Sequence, residues 1–281
     1  MSWVARAVMA EWRRVWSTRR WMWVGILCLV LVLPAVDVLG PFSLTVHTRP
    51  NLWDLLLYQF ANRIAYPFGL VLGYCLWCGD LFDADGRQHY RWFLLLHVPD
   101  GKSWIYLVAR AITIVLTAGI AAVTAGVAWF LAGWAWYGYS SGWSSFAQRH
   151  SMAWPLTPAV LHLSPLVVSL EAAAWAAAGV AAVALVGSAL ALWTDLPWTL
   201  PAWGAVVAIV VVWVFPVAGS LRWNILAQGM WIMHPRAYPG LVNQPVVPGS
   251  LKNSWSLTYL SMWAAVSGVI GWTRLSSRRD W

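Results

Sequence analysis

The chain has 281 residues, of which 60% are hydrophobic and only 10% charged. A soluble domain carries about 25% charged residues because its surface faces water, so composition excludes a water-solvated globule and makes lipid the expected solvent. The formal charge of +8, from 18 Lys and Arg against 10 Asp and Glu, comes from basic residues flanking apolar runs, a placement that suits anionic headgroups; no nucleic-acid motif is present.

Residues 2–20 come first and form an amphipathic pattern, with Val4, Val8, Trp12, Val15 and Trp16 on one helical face and Arg6, Arg13, Ser17 and Arg20 on the other. Apolar and aromatic residues opposite arginines describe a helix lying in the membrane interface. A plain basic leader would be the simpler alternative, but the regular spacing favours the helix. The apolar run that follows is too long for a cleavable signal peptide and is not followed by a small-residue cleavage site.

A crossing of about 30 Å of hydrocarbon needs ~20 apolar residues. Six segments qualify, roughly 21–40, 62–80, 104–132, 164–193, 199–219 and 255–273. Between them lie external segments 41–61, 133–163 and 220–254 and one longer internal loop, 80–104. With the N-terminus inside, twelve Lys and Arg fall on the cytoplasmic side and six outside, which places both termini in the cytoplasm. The expected fold is therefore all-α, one membrane domain over 1–281. Of the 25 tryptophans, many stand near span ends, as in the aromatic belts of membrane proteins.

The loop after the second span reads DLFDADGRQHYRWFLLLHVPDGKSW: Asp83 and Asp85 precede Gly86, then come Phe93, Leu94 and Leu95, then Pro99, and a basic residue at Lys102. Arg110 follows near the start of the third span. In this order of acid, glycine, aliphatic run, proline and base the chain resembles the permease subunits of type-2 ABC transporters, the bacterial drug, peptide and polysaccharide exporter class. The layout of interfacial helix, six spans and cytoplasmic ends is similar too, as are His234-Pro235 and Tyr238 after the fifth span. The acid is Asp rather than the more usual Glu, and Gly86 to Pro99 is about one helical turn longer than in the family.

The resemblance implies an elbow helix carrying Arg6, Trp12, Arg13 and Trp16, and a coupling helix within 80–104. It implies two copies of an ATP-binding partner that bring ATP and magnesium, a second permease chain, and a multi-pass place in the bacterial inner membrane. A short helix with Phe93, Leu94 and Leu95 on one side suits docking into a partner's groove; a solvated turn is the alternative.

This chain itself is expected to bind no cofactor or metal and to be no enzyme. Gly101-Lys102-Ser103 ends like a P-loop, but position 96, where the motif needs Gly, is Leu96. Asp83-Ala84-Asp85-Gly86 opens like a calcium loop without the Glu at its twelfth position. Cys75 and Cys78 share a helical face, yet there is no second such pair to complete a site.

Glu171 lies about two turns inside the fourth span, where an ionised carboxylate is costly and faces a cavity or a partner. Arg63 is the candidate partner. A structural ion pair, a place in the substrate path and proton coupling are all open readings. The apolar spans and the Trp-rich stretch 134–163 suit a hydrophobic or amphiphilic cargo such as a peptide, lipid or drug. Competing functions are an assembly or sensor subunit without transport of its own, a secondary transporter, and an intramembrane enzyme.

Overall fold

The computed structural model describes residues 3–17, 22–30, 49–62, 65–78, 104–148, 161–193, 223–230, 234 and 252–277. Among them the chain is all-helical, with no strand. The elements are α1 (Trp3–Ser17), α2 (Met22–Val30), α3 (Leu52–Ala61), a π-helical stretch (Ala65–Val71) running into α4 (Leu72–Trp77), α5 (Trp104–Tyr137), α6 (Ser145–Gln148), α7 (Pro165–Trp193), α8 (Ile225–Gln228) and α9 (Asn253–Ser277). Two of these, α5 and α7, are long and apolar enough to cross a membrane. The fifth expected span, 199–219, and all of 80–104 except Trp104 lie outside the described residues.

α5 is the central post, packing against α1, α2, α3 and α7. Its inward face is small: Ala118, Ala121, Ala122 and Ala125 are buried, and Ala172 and Ala176 are buried on α7. Small residues let helix backbones approach where lipid provides no drive for burial. Two of its buried threonines are satisfied within the helix, the Thr113 hydroxyl donating to the Ala109 carbonyl at 2.9 Å and that of Thr117 to the Thr113 carbonyl at 2.7 Å. The outward face carries Val115, Leu116, Val123, Val127 and Leu131, all exposed. α9 likewise exposes Leu257, Met262, Val266 and Val269. Faces of this kind suit hydrocarbon rather than water.

The helix ends are chemically marked. α7 opens on Ser164, whose Oγ accepts the Val167 N–H at 3.4 Å, followed by Pro165 at the first helical position. α5 ends at Gly138, whose φ of +78° suits glycine and turns the chain out of the helix. Its 34 residues therefore run to Tyr137, beyond the expected end at 132.

The second limb differs from a single span over 62–80. Helix begins ten residues earlier, at Leu52, where Asn51 and Asp54 form a reciprocal capping box. α3 and its continuation run antiparallel to α5. Leu52 lies against Gly133, Trp53 against Phe130, and Phe60 against Trp129; the Tyr74 hydroxyl lies 2.9 Å from that of Thr117. The limb is broken in the middle. Asn62 is extended (ψ 129°), its side-chain oxygen accepts the Ala65 N–H at 3.1 Å, and helix resumes with the wider π geometry around Pro67. Proline lacks an amide donor, and local widening of the helix is one way a proline is absorbed. Apolarity alone hid the first half because α3 carries Asp54 and Gln59, both fully buried.

The α3–α5 contact is close enough to test. A β-carbon on Gly133 would stand 3.0 Å from the Leu52 Cα and 3.1 Å from its carbonyl oxygen. Backbone cannot step aside as a side-chain tip can, so Gly133→Ala is expected to cost about 1–2 kcal/mol, read as a lower unfolding midpoint in detergent.

Candidate functional site

α1 is seated on the beginning of α5. Its buried stripe is Ala7, Glu11 and Val15, one residue per turn, and Ala7 packs with Ile105 and Ala109 while Val4 and Val8 flank them. Trp16 continues the contact, meeting Trp77 edge-on at 5.3 Å and Trp12 at 5.7 Å. Arg6 and Arg13 are exposed on the other side, Arg6 with its guanidinium 3.9 Å from the Trp3 ring centroid. Of the expected apolar face Val15 is buried and Val4, Val8, Trp12 and Trp16 are partly buried, while the Ser17 side chain and Arg20, on the expected polar face, lie outside the described residues.

Two charged residues sit inside this junction. Glu11 and Arg110 are each only 4% exposed. Arg110 Nη1 donates to the Tyr106 hydroxyl at 2.5 Å, whereas Arg110 Nε and Glu11 Oε2 are buried without a hydrogen-bond partner. Glu11, Arg14 and Arg110 all act electrostatically on Tyr106. Glu11 and Arg110 thus place a charged side chain of each sign, nearly excluded from solvent, at the same helix–helix junction. The junction covers the two turns of α5 that follow Trp104, the last residue of the 80–104 loop.

A polar seam lies across α7, α8 and α9. The Trp175 ring stacks on His234 with centroids 4.0 Å apart. His234 Nε2 is 3.3 Å from the Gln228 carbonyl, and the Ser256 hydroxyl donates to Gln228 Oε1 at 2.6 Å. Gln228, His234 and Ser256 are buried. Deeper in the bundle the Tyr66 hydroxyl reaches a crossing of backbones at Gly179 and Gly229. It is buried there without a hydrogen-bond partner.

Glu171 is half-buried in the second turn of α7, one turn before Trp175. Its expected partner Arg63 lies outside the described residues, as do Asp83, Asp85, Gly86, Phe93, Leu94, Leu95, Pro99, Lys102, Pro235 and Tyr238. Cys75 and Cys78 are buried and not joined in a disulfide, and no group of three metal-ligating side chains occurs among the described residues.

Three residues escaped sequence reasoning. Glu11 carried a signal, being the one acid in the stripe Ala7, Glu11, Val15. Asp54 carried another, since Asn51 three residues before it is a cap pattern. Tyr66 carried none, because Gly179 and Gly229, which its hydroxyl meets, come from two distant segments.

Comparison with protein-family models, with curated proteins and with solved structures finds no match.

Proposed function

We propose that the chain is the membrane-spanning permease subunit of an ATP-driven transporter of the type-2 ABC exporter class, moving a hydrophobic or amphiphilic cargo and coupled through residues 80–104 to a separate ATPase. In this reading six helices cross the membrane, both ends are cytoplasmic, and the Trp104 end of α5 faces the cytoplasm.

The observation that supports it most is the seating of α1 on the first turns of α5, directly after the loop that resembles a coupling segment. In this reading a push received by that loop enters α5 and α1 together, because Ala7 packs against Ile105 and Ala109. The outward apolar faces of α5 and α9 suit the bilayer.

The test is capture of an ATP-binding subunit from the native host. Tagged full-length protein is expected to bring it down with ATPase activity. Deleting residues 86–98 should abolish capture while leaving the permease in the membrane. An undiminished complex after the deletion sinks the reading.

The broken second limb favours a second reading, a secondary transporter, since helices interrupted at mid-depth form the substrate and ion sites of that class. It predicts uptake into proteoliposomes driven by an ion gradient with no ATPase present, which the permease reading forbids.

A further inference from the structure

We propose that the face of α1 turned away from α5 is a seat for anionic phospholipid, with Arg6 and Arg13 taking headgroup phosphates and Trp3 and Met9 meeting the lipid beside them. The seat requires a bilayer around the chain and nothing of a transport cycle.

Periodicity alone predicts a helix that rests on lipid by its valines and tryptophans. The structure divides the helix differently. The side covered by protein is Ala7, Glu11 and Val15, with Ala7 against Ile105 and Ala109. The opposite side carries Arg6, Met9 and Arg13, which fall within about 60° of one another on a helical projection. All three are exposed, Met9 by 42%. Trp3 is exposed at the edge of that side, and the Arg6 guanidinium lies 3.9 Å from its ring centroid. Glu11, the one acid of α1, is buried on the far side, so no acid shares the exposed one. Arginines interleaved with an exposed tryptophan and methionine suit a headgroup layer, which solvates charged tips and apolar bodies together.

The depth of this face follows from α5. Trp104, Val108, Ile112 and Val115 form an exposed apolar stripe along that helix, and the stripe starts at Trp104. A tryptophan at the end of such a stripe marks the headgroup layer. Ala7 packs on Ile105 and Ala109, the first two turns beyond that tryptophan. The next helix, α2, exposes Met22, Ile26 and Leu29 from its first residue onward. α1 therefore stands where the apolar faces of two neighbours begin, which is where headgroups lie.

Charge complementarity names the occupant. A guanidinium meets two phosphate oxygens at once. Arg6 and Arg13 stand two turns apart, about 10 Å along the axis, so each can meet a phosphate of its own. Phosphatidylcholine carries the same phosphate but brings a cation with it, whereas phosphatidylglycerol keeps its net negative charge. Two arginines at an anionic surface are together worth roughly 30-fold in affinity.

Amide hydrogen exchange across residues 3–17 reads the seat, because a ligand of the folded helix slows its opening. The purified full-length protein in neutral detergent micelles is titrated with phosphatidylglycerol, or with phosphatidylcholine of the same chains. Phosphatidylglycerol is expected to raise protection at a mole fraction roughly 30-fold below that needed for phosphatidylcholine. In Arg6→Gln/Arg13→Gln the two curves should coincide, and in Arg6→Lys/Arg13→Lys they should stay apart. Coincident wild-type curves leave the arginines to another partner, such as an acidic protein surface, and overturn the seat. A glutamine variant that keeps the full separation overturns it too. Inorganic phosphate at millimolar concentration should leave protection unchanged; equal protection by it would make this a site for free anions and refute the lipid. Neither substitution touches Ala7, Glu11 or Val15, so α1 is expected to stay on α5. Should the double variant lose protection before any lipid is added, Arg6→Gln alone serves: the separation should shrink about 5-fold, and an unchanged one is equally fatal. No ATPase enters the measurement, so the seat and the permease reading fail separately.

Discussion

Gly179→Ala is expected to lower the stability of the purified protein by about 3 kcal/mol, among the largest effects of any single methyl group in the chain. The added carbon would fall inside contact distance of the Tyr66 hydroxyl and 2.9 Å from the Gly229 Cα. Gly229→Ala meets the same pair from the other side, with the Gly179 Cα at 2.7 Å. Both obstacles are held: one is backbone, the other the tip of a ring buried on all sides. The comparison that isolates the cause is Tyr66→Phe. Its hydroxyl is buried without a partner, so removing it should change stability by less than about 1 kcal/mol or improve it. Combined with Gly179→Ala it should recover part of the loss, a non-additivity of ~1 kcal/mol in a double-mutant cycle. Unfolding in mixed micelles provides all four values. A strictly additive cycle would separate the tyrosine from the glycines and refute the crossing.

Arg110→Leu should cost a similar or larger amount, about 3–5 kcal/mol, because it leaves the Glu11 carboxyl buried in the α1–α5 junction without the guanidinium beside it. Glu11→Leu strands Arg110 in the same way. The double variant Glu11→Leu/Arg110→Leu removes both charges together and is expected to come back to within about 1–2 kcal/mol of the parent. The single variants should also free α1, which limited proteolysis reports as cleavage within residues 3–17 ahead of any loss of α5. If each single variant is as stable as the parent, the two charges are solvated and the seam is not a clamp.

Much of the helical layout was legible from apolar runs alone. The fourth expected span, 164–193, is α7 to within a residue, and the third begins at α5; the sixth is matched by a helix, α9, that is not among the two long and apolar enough to cross a membrane. Run length decides these because an apolar helix needs no information from its neighbours. α3 was not legible as part of the second limb. Asp54, Gln59 and Asn62 interrupt the hydropathy, and only the cap at Asn51 and the loop that covers Asp54 explain how they are tolerated. The Gly138 stop was equally hidden, because glycine inside Trp- and Gly-rich sequence says nothing until its φ is known.

The candidate sites divide in the same way. The amphipathic faces of α1, with Arg6 and Arg13 outward and Val15 inward, follow from period. That Glu11 meets the seam opposite Arg110 does not, since about a hundred residues separate them. His234 was singled out by its Pro235 neighbour, whereas the structure places it by its stack on Trp175 and its contact with Gln228.

That separation also sets an order of events. α1 leaves the ribosome before α5, when Ile105 and Ala109, which receive Ala7, are not yet made. At about 5–20 residues per second the wait lasts roughly 5–20 seconds. During it the stripe of Ala7, Glu11 and Val15 has no α5 to cover it. α1 is thus a helix made well before its seat, and what shields that stripe in the interval is a separate requirement on the chain from what buries it in the finished fold.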